Sequence, residues 1–318
     1  MRRERFLSIG SLTLGVRARP VGFGDLLAGF FKQTLRLRPV RGRGLDATLV
    51  ITRVRGRRLA RAGIPEDGLV VSRRADGRFR LATNVLDAVW DPSHRPGAWR
   101  IVVRDGAHPA EAQRMHLSIA THRCLLATGR VHVHAAAVFL DGRVSLFVGD
   151  RGAGKSTISL WLASRGGKIL SDDHVVLRRS GRRFWVSGCE ETSRVTPKTE
   201  AFVFSRPLAI EAQDFSGSWK KEFRVADFFP SVPFRDYPVH RIFFSRVGAR
   251  FRVTPISPQR ATLELIEKTR RAFRFADAMD YREFLDYWTT LAEAVPAFEL
   301  ELSPDLRELD RLVHLLRS

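Results

Sequence analysis

Residues 149–157 read GDRGAGKST and meet the pattern G-x-x-x-x-G-K-[ST] at every fixed position. Gly149, Gly152 and Gly154 allow backbone N–H groups to converge on phosphate oxygens, and a helix starting there adds its positive end. Lys155 would bring a mobile cation to the β- and γ-phosphates, and the Ser156 hydroxyl would ligate Mg²⁺. With Asp150, Arg151, Ala153 and Thr157 these residues form the candidate nucleotide-binding loop, and the cofactors expected are ATP and Mg²⁺. The loop alone does not say where the terminal phosphate goes.

Asp172 and Asp173 end the apolar run KILSDD downstream of the loop. A carboxylate at such a strand end is the usual partner of the nucleotide's metal. Neighbours on a strand point to opposite faces, so a kink there would be needed for both to reach the phosphate. One could then hold metal while the other accepts a proton. His132 and His134 lie two apart and share a strand face, but no third metal ligand is evident from the sequence, so the default is a pair of hydrogen-bonded core histidines. Lys220 and Lys221 are two of only seven lysines in a chain rich in arginine, and are candidates for a compact charge on a phosphate.

The elements that must position these groups follow from periodicity and turn chemistry. The run VHVHAAAVFLDGRVSLFVGD reads as two strands around Asp141-Gly142, an antiparallel hairpin feeding directly into the loop. Most phosphate loops instead follow a strand in a parallel sheet reached by helical crossovers. STISLWLASRG then reads as a short helix stopped at Gly166-Gly167, KILSDDHVVLRR as one strand, and RRFWVSG as its hairpin partner. HRIFFSRV and AFELELS read as strands, residues 260–271, 280–294 and the terminal PDLRELDRLVHLLRS as helices. Residues 1–105 read as a β-rich domain, with strands at DATLVITRV and AWRIVVRDG and a hairpin around Asp76-Gly77. An amphipathic helix is expected at GFGDLLAGFFKQTLRL and another in the run after residue 108. The second domain is expected over residues 106–318.

The chain's 318 residues and 44% hydrophobic content are enough for a real core, and no apolar run approaches a membrane span. The opening MRRERFLSIGSLTLGV is broken by Ser and Gly and reads as a strand rather than a leader. Cys124 and Cys189 are too few and too far apart for a disulfide framework, so a reducing cytoplasm is the expected location. The net charge of +20 raises the question of nucleic acid, but the arginines are spread along the chain and no nucleic-acid motif accompanies them. No L-S-G-G-Q-like signature helix or N-K-x-D-like base-reading motif is present, which argues against a transporter-type ATPase and a GTPase.

The stretch from His134 to Asp173 resembles the catalytic core of bacterial HPr kinase/phosphorylase and its relatives. In that family a His lies fifteen residues before the first loop glycine and an Asp-Asp pair follows twenty-three and twenty-four after it. His134, Gly149, Asp172 and Asp173 keep those separations without a gap, and Arg165-Gly166 matches the helix end. The resemblance implies an α/β (α+β) fold related to phosphoenolpyruvate carboxykinase, with the loop strand in a mixed sheet. It implies ATP-dependent phosphorylation of a hydroxyl, on a serine of a peptide or protein or on a small molecule. Asp173 would be the general base, His134 and Lys155 would act at the transferred group, and Ser156 and Asp172 would serve the metal. Arg151 and Thr157 depart from the family's loop residues, and WVSG lacks its metal-binding Glu, leaving Glu190 or Glu191 as substitutes. The chain therefore looks like a related kinase rather than HPr kinase itself. Oligomerisation is left open, and so is the alternative of a phosphate-loop ATPase or nucleotide-binding switch.

Overall fold

The computed structural model describes residues 128–269 and 278–317, apart from 190, 216, 231 and 234. Toward the N-terminus it describes 4–9, 12–19, 38–39, 47–54, 70–73, 75–76, 78–82, 86–91, 97–104 and 125. The helices expected at 22–37 and after residue 108, and also Cys124, Glu190 and Arg271, lie outside the described residues. The chain divides into two compact units, Met1–Val131 and His132–Ser318.

In the first unit, the described strands are β1 (Glu4–Ile9), β2 (Leu12–Arg19), β3 (Arg38–Pro39), β4 (Ala47–Val54), β5 (Val70–Arg73), β6 (Phe79–Ala82), β7 (Leu86–Asp91) and β8 (Gly97–Arg104). They form one sheet in the order β3-β1-β2-β4-β8-β7-β6-β5. β4 runs parallel to β2 and β8, and the other pairs are antiparallel. β5 and β6 pair from Arg73↔Phe79, the hairpin expected around Asp76. The Arg80 guanidinium grips Asp87 with two hydrogen bonds of 2.8 and 2.6 Å, tying β6 to β7.

In the second unit, β9 (Arg130–Leu140) returns as β10 (Arg143–Val148). Asp141 and Gly142 turn the chain with φ of 46° and 82°, the positive values a two-residue hairpin turn demands. β10 then enters the 149–157 loop. α1 (Lys155–Ser164) follows, then β11 (Lys168–Ser171), β12 (His174–Ser180) and β13 (Arg183–Gly188). The run read as one strand, KILSDDHVVLRR, is thus two strands separated by a bend at Asp172 and Asp173. The polar stretch Ser171–His174 separates their apolar residues, and such a stretch suits an extended strand as well as a bend, so periodicity alone does not reveal the break.

β14 (Thr192–Val195), α2 (Pro197–Val203), β15 (Gln213–Asp214) and β16 (Trp219–Arg224) come next, and β14, β16 and β15 form a small sheet in that order. β17 (Tyr237–Val247), β18 (Arg252–Ile256), α3 (Pro258–Thr269), α4 (Ala278–Ala294), β19 (Ala297–Leu302) and α5 (Leu309–Arg317) complete the unit. The large sheet is mixed: β10 lies antiparallel to β9 and parallel to β17, and β17 is parallel to β19. The protein is therefore a mixed α/β protein with a large mixed sheet, and five helices stand among its described residues.

α1 is apolar on nearly every side because it is covered on both. Ile158, Trp161 and Leu162 pack with Phe147, Phe243 and Leu300 of the large sheet and with α5. Leu160 and Ala163 pack with Val195, Phe223 and Val225 at the small sheet. α5 buries Leu309, Leu312, Val313 and Leu316, the spacing of a single helical stripe. Each such side chain contributes about 1.5–3 kcal/mol of burial, so the helix behind the loop is held by packing from two directions.

Candidate active site

The loop lies between β10 and the start of α1, against the ends of two parallel neighbours. A Cβ on Gly149 would stand 2.6 Å from the Ser245 carbonyl oxygen of β17. One on Gly154 would collide with the Leu302 side chain of β19, and Gly154 also has φ of 85°. Gly152 has φ of 84°. The glycines are thus required by geometry that a side chain would strain or fill. Gly154 caps α1 without a side-chain hydrogen bond, so the first-turn N–H groups carry no side-chain cap.

The Lys155 ammonium donates to the carbonyls of Gly149 at 2.8 Å and Asp150 at 3.0 Å, which places it over the mouth of the loop. Burial pushes its pKa down, and the nearby carboxylates of Asp173, Asp172 and Asp150 push it back up. Asp150 accepts from the Lys268 ammonium at 2.7 Å, Arg151 donates to the Phe215 carbonyl at 2.5 Å, and the Thr157 and Thr199 hydroxyls meet at 2.9 Å. Ala153 closes the loop turn by donating its N–H to the Asp150 carbonyl at 3.1 Å.

The bend after β11 sends the two aspartates into different surroundings. Asp172 is buried, with 4% of its surface exposed. Its two oxygens accept from the hydroxyls of Ser159 at 2.5 Å and Ser193 at 2.6 Å. Burial raises its pKa, against the hydrogen bonds from Ser159, Ser193 and the loop's Ser156. Asp173 accepts from Nδ1 of His134 at 2.8 Å. Nε2 of His174 lies 3.6 Å and Nη1 of Arg194 3.9 Å from its other oxygen. Burial works to raise the Asp173 pKa, but the His134 hydrogen bond and the charges of His174, His134 and Arg194 outweigh it and hold the carboxyl well below the usual range.

A cavity of about 310 Å³ brings the pieces together. His134, Asp173, Lys155, Ser156 and Thr157 line it, and so do Arg194, Lys198 and Lys220. A smaller cavity of about 50 Å³, lined by Asp172 and Ser193 among others, shares Ser156, Asp173, Arg194 and Lys220 with it. Four of the sequence candidates from separate segments therefore converge: His134 from β9, the loop, the aspartate bend, and Lys220 from β16. Lys221 does not join them. Its ammonium bonds Glu200 at 2.9 Å and the Leu208 carbonyl at 2.8 Å. Glu191 lies 4.0 Å from Arg224 and lines neither cavity.

Arg194 is a cavity residue that sequence reasoning misses, as it does Thr196, Lys198 and Thr199. It sits on β14, its guanidinium bonds Glu222 at 2.7 Å, and Phe215 packs under it at 4.3 Å. No motif marks it, because its place depends on β14 pairing with β16, Arg194↔Glu222. A second cavity of about 630 Å³ lies on the other side of the loop, lined by Asp150, Arg151, Ser245, Arg260, Glu267 and Lys268 among others. It contains neither His134 nor Asp173.

Among the described residues no helix is long and apolar enough to cross a membrane. No family model matches the chain, and no curated protein matches it. Among solved structures, the Hpr(Ser) kinase/phosphatase from Coxiella burnetii is similar to it at a TM-score of 0.32 and 16% identity, over 58% of this chain and 88% of that one.

Proposed function

We propose that this chain is a phosphotransferase that takes the terminal phosphoryl group of Mg·ATP to a hydroxyl, on a serine of a peptide or protein or on a small molecule. The observation that carries the reading is that the hydrogen-bonded pair His134–Asp173 opens onto the same cavity as Lys155 and Ser156 of the loop. A loop built only to hold a nucleotide has no need of a carboxylate–imidazole pair facing it, whereas attack on the terminal phosphate needs a residue that positions the nucleophile.

The residues fit the nucleotide and its metal. The first turn of α1 has no side-chain cap, and the positive φ of Gly152 and Gly154 gives the loop the curvature that turns its backbone N–H groups toward one point. Ser156 and Asp172 supply oxygen donors around the small cavity, the donor type Mg²⁺ takes. Mg·ATP, when bound, supplies the phosphoryl group and neutralises part of its charge. The core so assigned is a phosphate-loop kinase core related to phosphoenolpyruvate carboxykinase, covering residues 106–318.

Transfer is otherwise positioning and charge stabilisation. Lys155 reaches the β- and γ-phosphates, and Arg194 and Lys220 face the same space. Asp173, held ionised by its neighbours, accepts the hydrogen bond of the acceptor hydroxyl. As the new P–O bond forms and the bond to the leaving phosphate breaks, the hydroxyl proton passes to Asp173. His134 shares that carboxylate and orients it. A weak base suffices because a loose transition state asks little of the attacking oxygen.

The test is transfer against hydrolysis. With γ-labelled ATP, Mg²⁺ and a pool of serine-containing peptides and proteins, label should appear on an acceptor hydroxyl and be lost with Asp173→Asn. Free hydrolysis of ATP with no labelled acceptor would replace this reading with the ATPase or switch.

A further inference from the structure

His134, Asp173 and His174 do more than frame a base. One donor atom of each lies within 4.8 Å of the other two. Nδ1 of His134 is 2.8 Å from Oδ1 of Asp173, and Nε2 of His174 is 3.6 Å from Oδ2. The donors of a tetrahedral zinc ion, at about 2.0–2.1 Å from the metal, lie about 3.3 Å from each other. The two measured separations, one to each Asp173 oxygen, lie on either side of that value, and with all three donors within 4.8 Å of one another, side-chain shifts of about an ångström would complete three corners.

The supports are also in place. The ring of His132 stacks on that of His174 with centroids 4.7 Å apart and planes at 18°. β9 presents His132 and His134 on one face, and His174 opens β12 beside them. The sequence offered the two β9 histidines without a third ligand, and the fold supplies two. The group is accessible: 41% of the His134 side chain and 32% of that of Asp173 are exposed, and both line the cavity.

We propose that His134, Asp173 and His174 form a site for a borderline transition-metal ion such as Zn²⁺, separate from the all-oxygen Mg²⁺ position at Ser156 and Asp172. Two imidazoles and one carboxylate select zinc, cobalt or nickel over magnesium, which prefers oxygen. Arg194 and Lys155 face the same space and oppose a cation, so the site is a reversible one rather than a structural anchor. An ion held there takes the His134 and Asp173 atoms that the transfer needs. That regulatory consequence rests on the kinase reading, whereas metal binding itself does not.

The test is a cobalt(II) titration of the full chain without nucleotide or acceptor. The expected result is one ion per chain with the intense visible absorption of a four- or five-coordinate site. His174→Gln and His134→Gln should each weaken it by at least about tenfold, no less than the 10–100-fold that loss of an outer-shell partner costs. Ser156→Ala should leave it unchanged. Equal affinity in wild type and both histidine variants would overturn the site. So would loss in Ser156→Ala, which would move the ion to the nucleotide's metal position. Because no ATP is involved, failure here is separate from failure of the kinase reading.

Discussion

Asp172 and Asp173 are neighbours in the chain and sit in opposite electrostatic surroundings. The first is buried among serine hydroxyls, with its pKa raised by burial. For the second, burial is outweighed by the His134 hydrogen bond and the charges of His174, His134 and Arg194. One bend, between β11 and β12, produces both environments.

Replacing Asp173 separates chemistry from binding. Asp173→Asn should keep Mg·ATP affinity within a few-fold and lose transfer by about 10²-fold or more, the scale of a positioned base. His134→Ala should keep the nucleotide as well, with a smaller loss. Calorimetry beside the transfer assay reads both. Full transfer in Asp173→Asn would place the base elsewhere.

Asp172 carries the opposite sign in pH. A carboxyl whose folded pKa is raised stabilises the fold fully below the ordinary carboxyl value, and that contribution is lost as pH rises through the raised value. Asp172→Asn removes this dependence. Its melting temperature relative to wild type should therefore improve from pH 4 to pH 8, while its Mg²⁺-dependent nucleotide affinity falls. A difference that stays flat or worsens toward alkaline pH would contradict the buried, raised carboxyl.

Lys155→Ala should abolish productive Mg·ATP binding, because the loop loses its mobile cation. Unchanged affinity and turnover, measured by calorimetry and phosphate transfer, would remove the loop from the function.

The two lysines of β16 should part company. Lys220→Ala should weaken nucleotide binding or turnover with little change in melting temperature, since Lys220 lines both cavities. Lys221→Ala should cost stability, about 1–3 kcal/mol for the buried partners it leaves, because Lys221 joins Glu200 and the Leu208 carbonyl. Paired denaturation and binding curves decide it. The reverse pattern would mean that the side chains exchange roles.

The surplus arginines should not make a specific duplex binder. Several are matched with carboxylates around the second unit, as in Arg178–Asp236, Arg246–Glu301 and Arg260–Glu264. Duplex affinity should be weak, indifferent to sequence and steeply lowered by salt. A sequence-selective complex of roughly nanomolar affinity at about 200 mM salt would contradict this.

What the sequence made legible is what short-range chemistry dictates. The β9–β10 hairpin follows from Asp141-Gly142 and the loop from its glycines, whereas His134 and Asp173 were linked only by the resemblance, since the residues alone gave His134 as a core histidine. The bend at Asp172 was not legible as a fact, only as a requirement, because the polar stretch Ser171–His174 between the apolar runs of β11 and β12 suits an extended strand as well as a bend. Arg194 and the division of labour between Lys220 and Lys221 were out of reach. They are set by the pairing of β14 with β16 and by Glu200 on α2, contacts between segments that no local pattern links. The acceptance of His132 and His134 as core histidines also changes, since His174 arrives beside them only when β12 docks.

The two glycines at the ends of the loop constrain inheritance differently. Gly154 is refused a side chain twice, by its backbone angle and by Leu302, so trimming Leu302 would free only the space. Gly149 faces the carbonyl of Ser245, a main-chain atom that no substitution can shorten. Trimming Ser245 to Gly would remove only its side chain, not this carbonyl. The first glycine of the loop is thus locked to the course of β17 even where the Ser245 and Ala153 side chains that also crowd it are trimmed, and the loop stays open to phosphate only while that strand keeps its path.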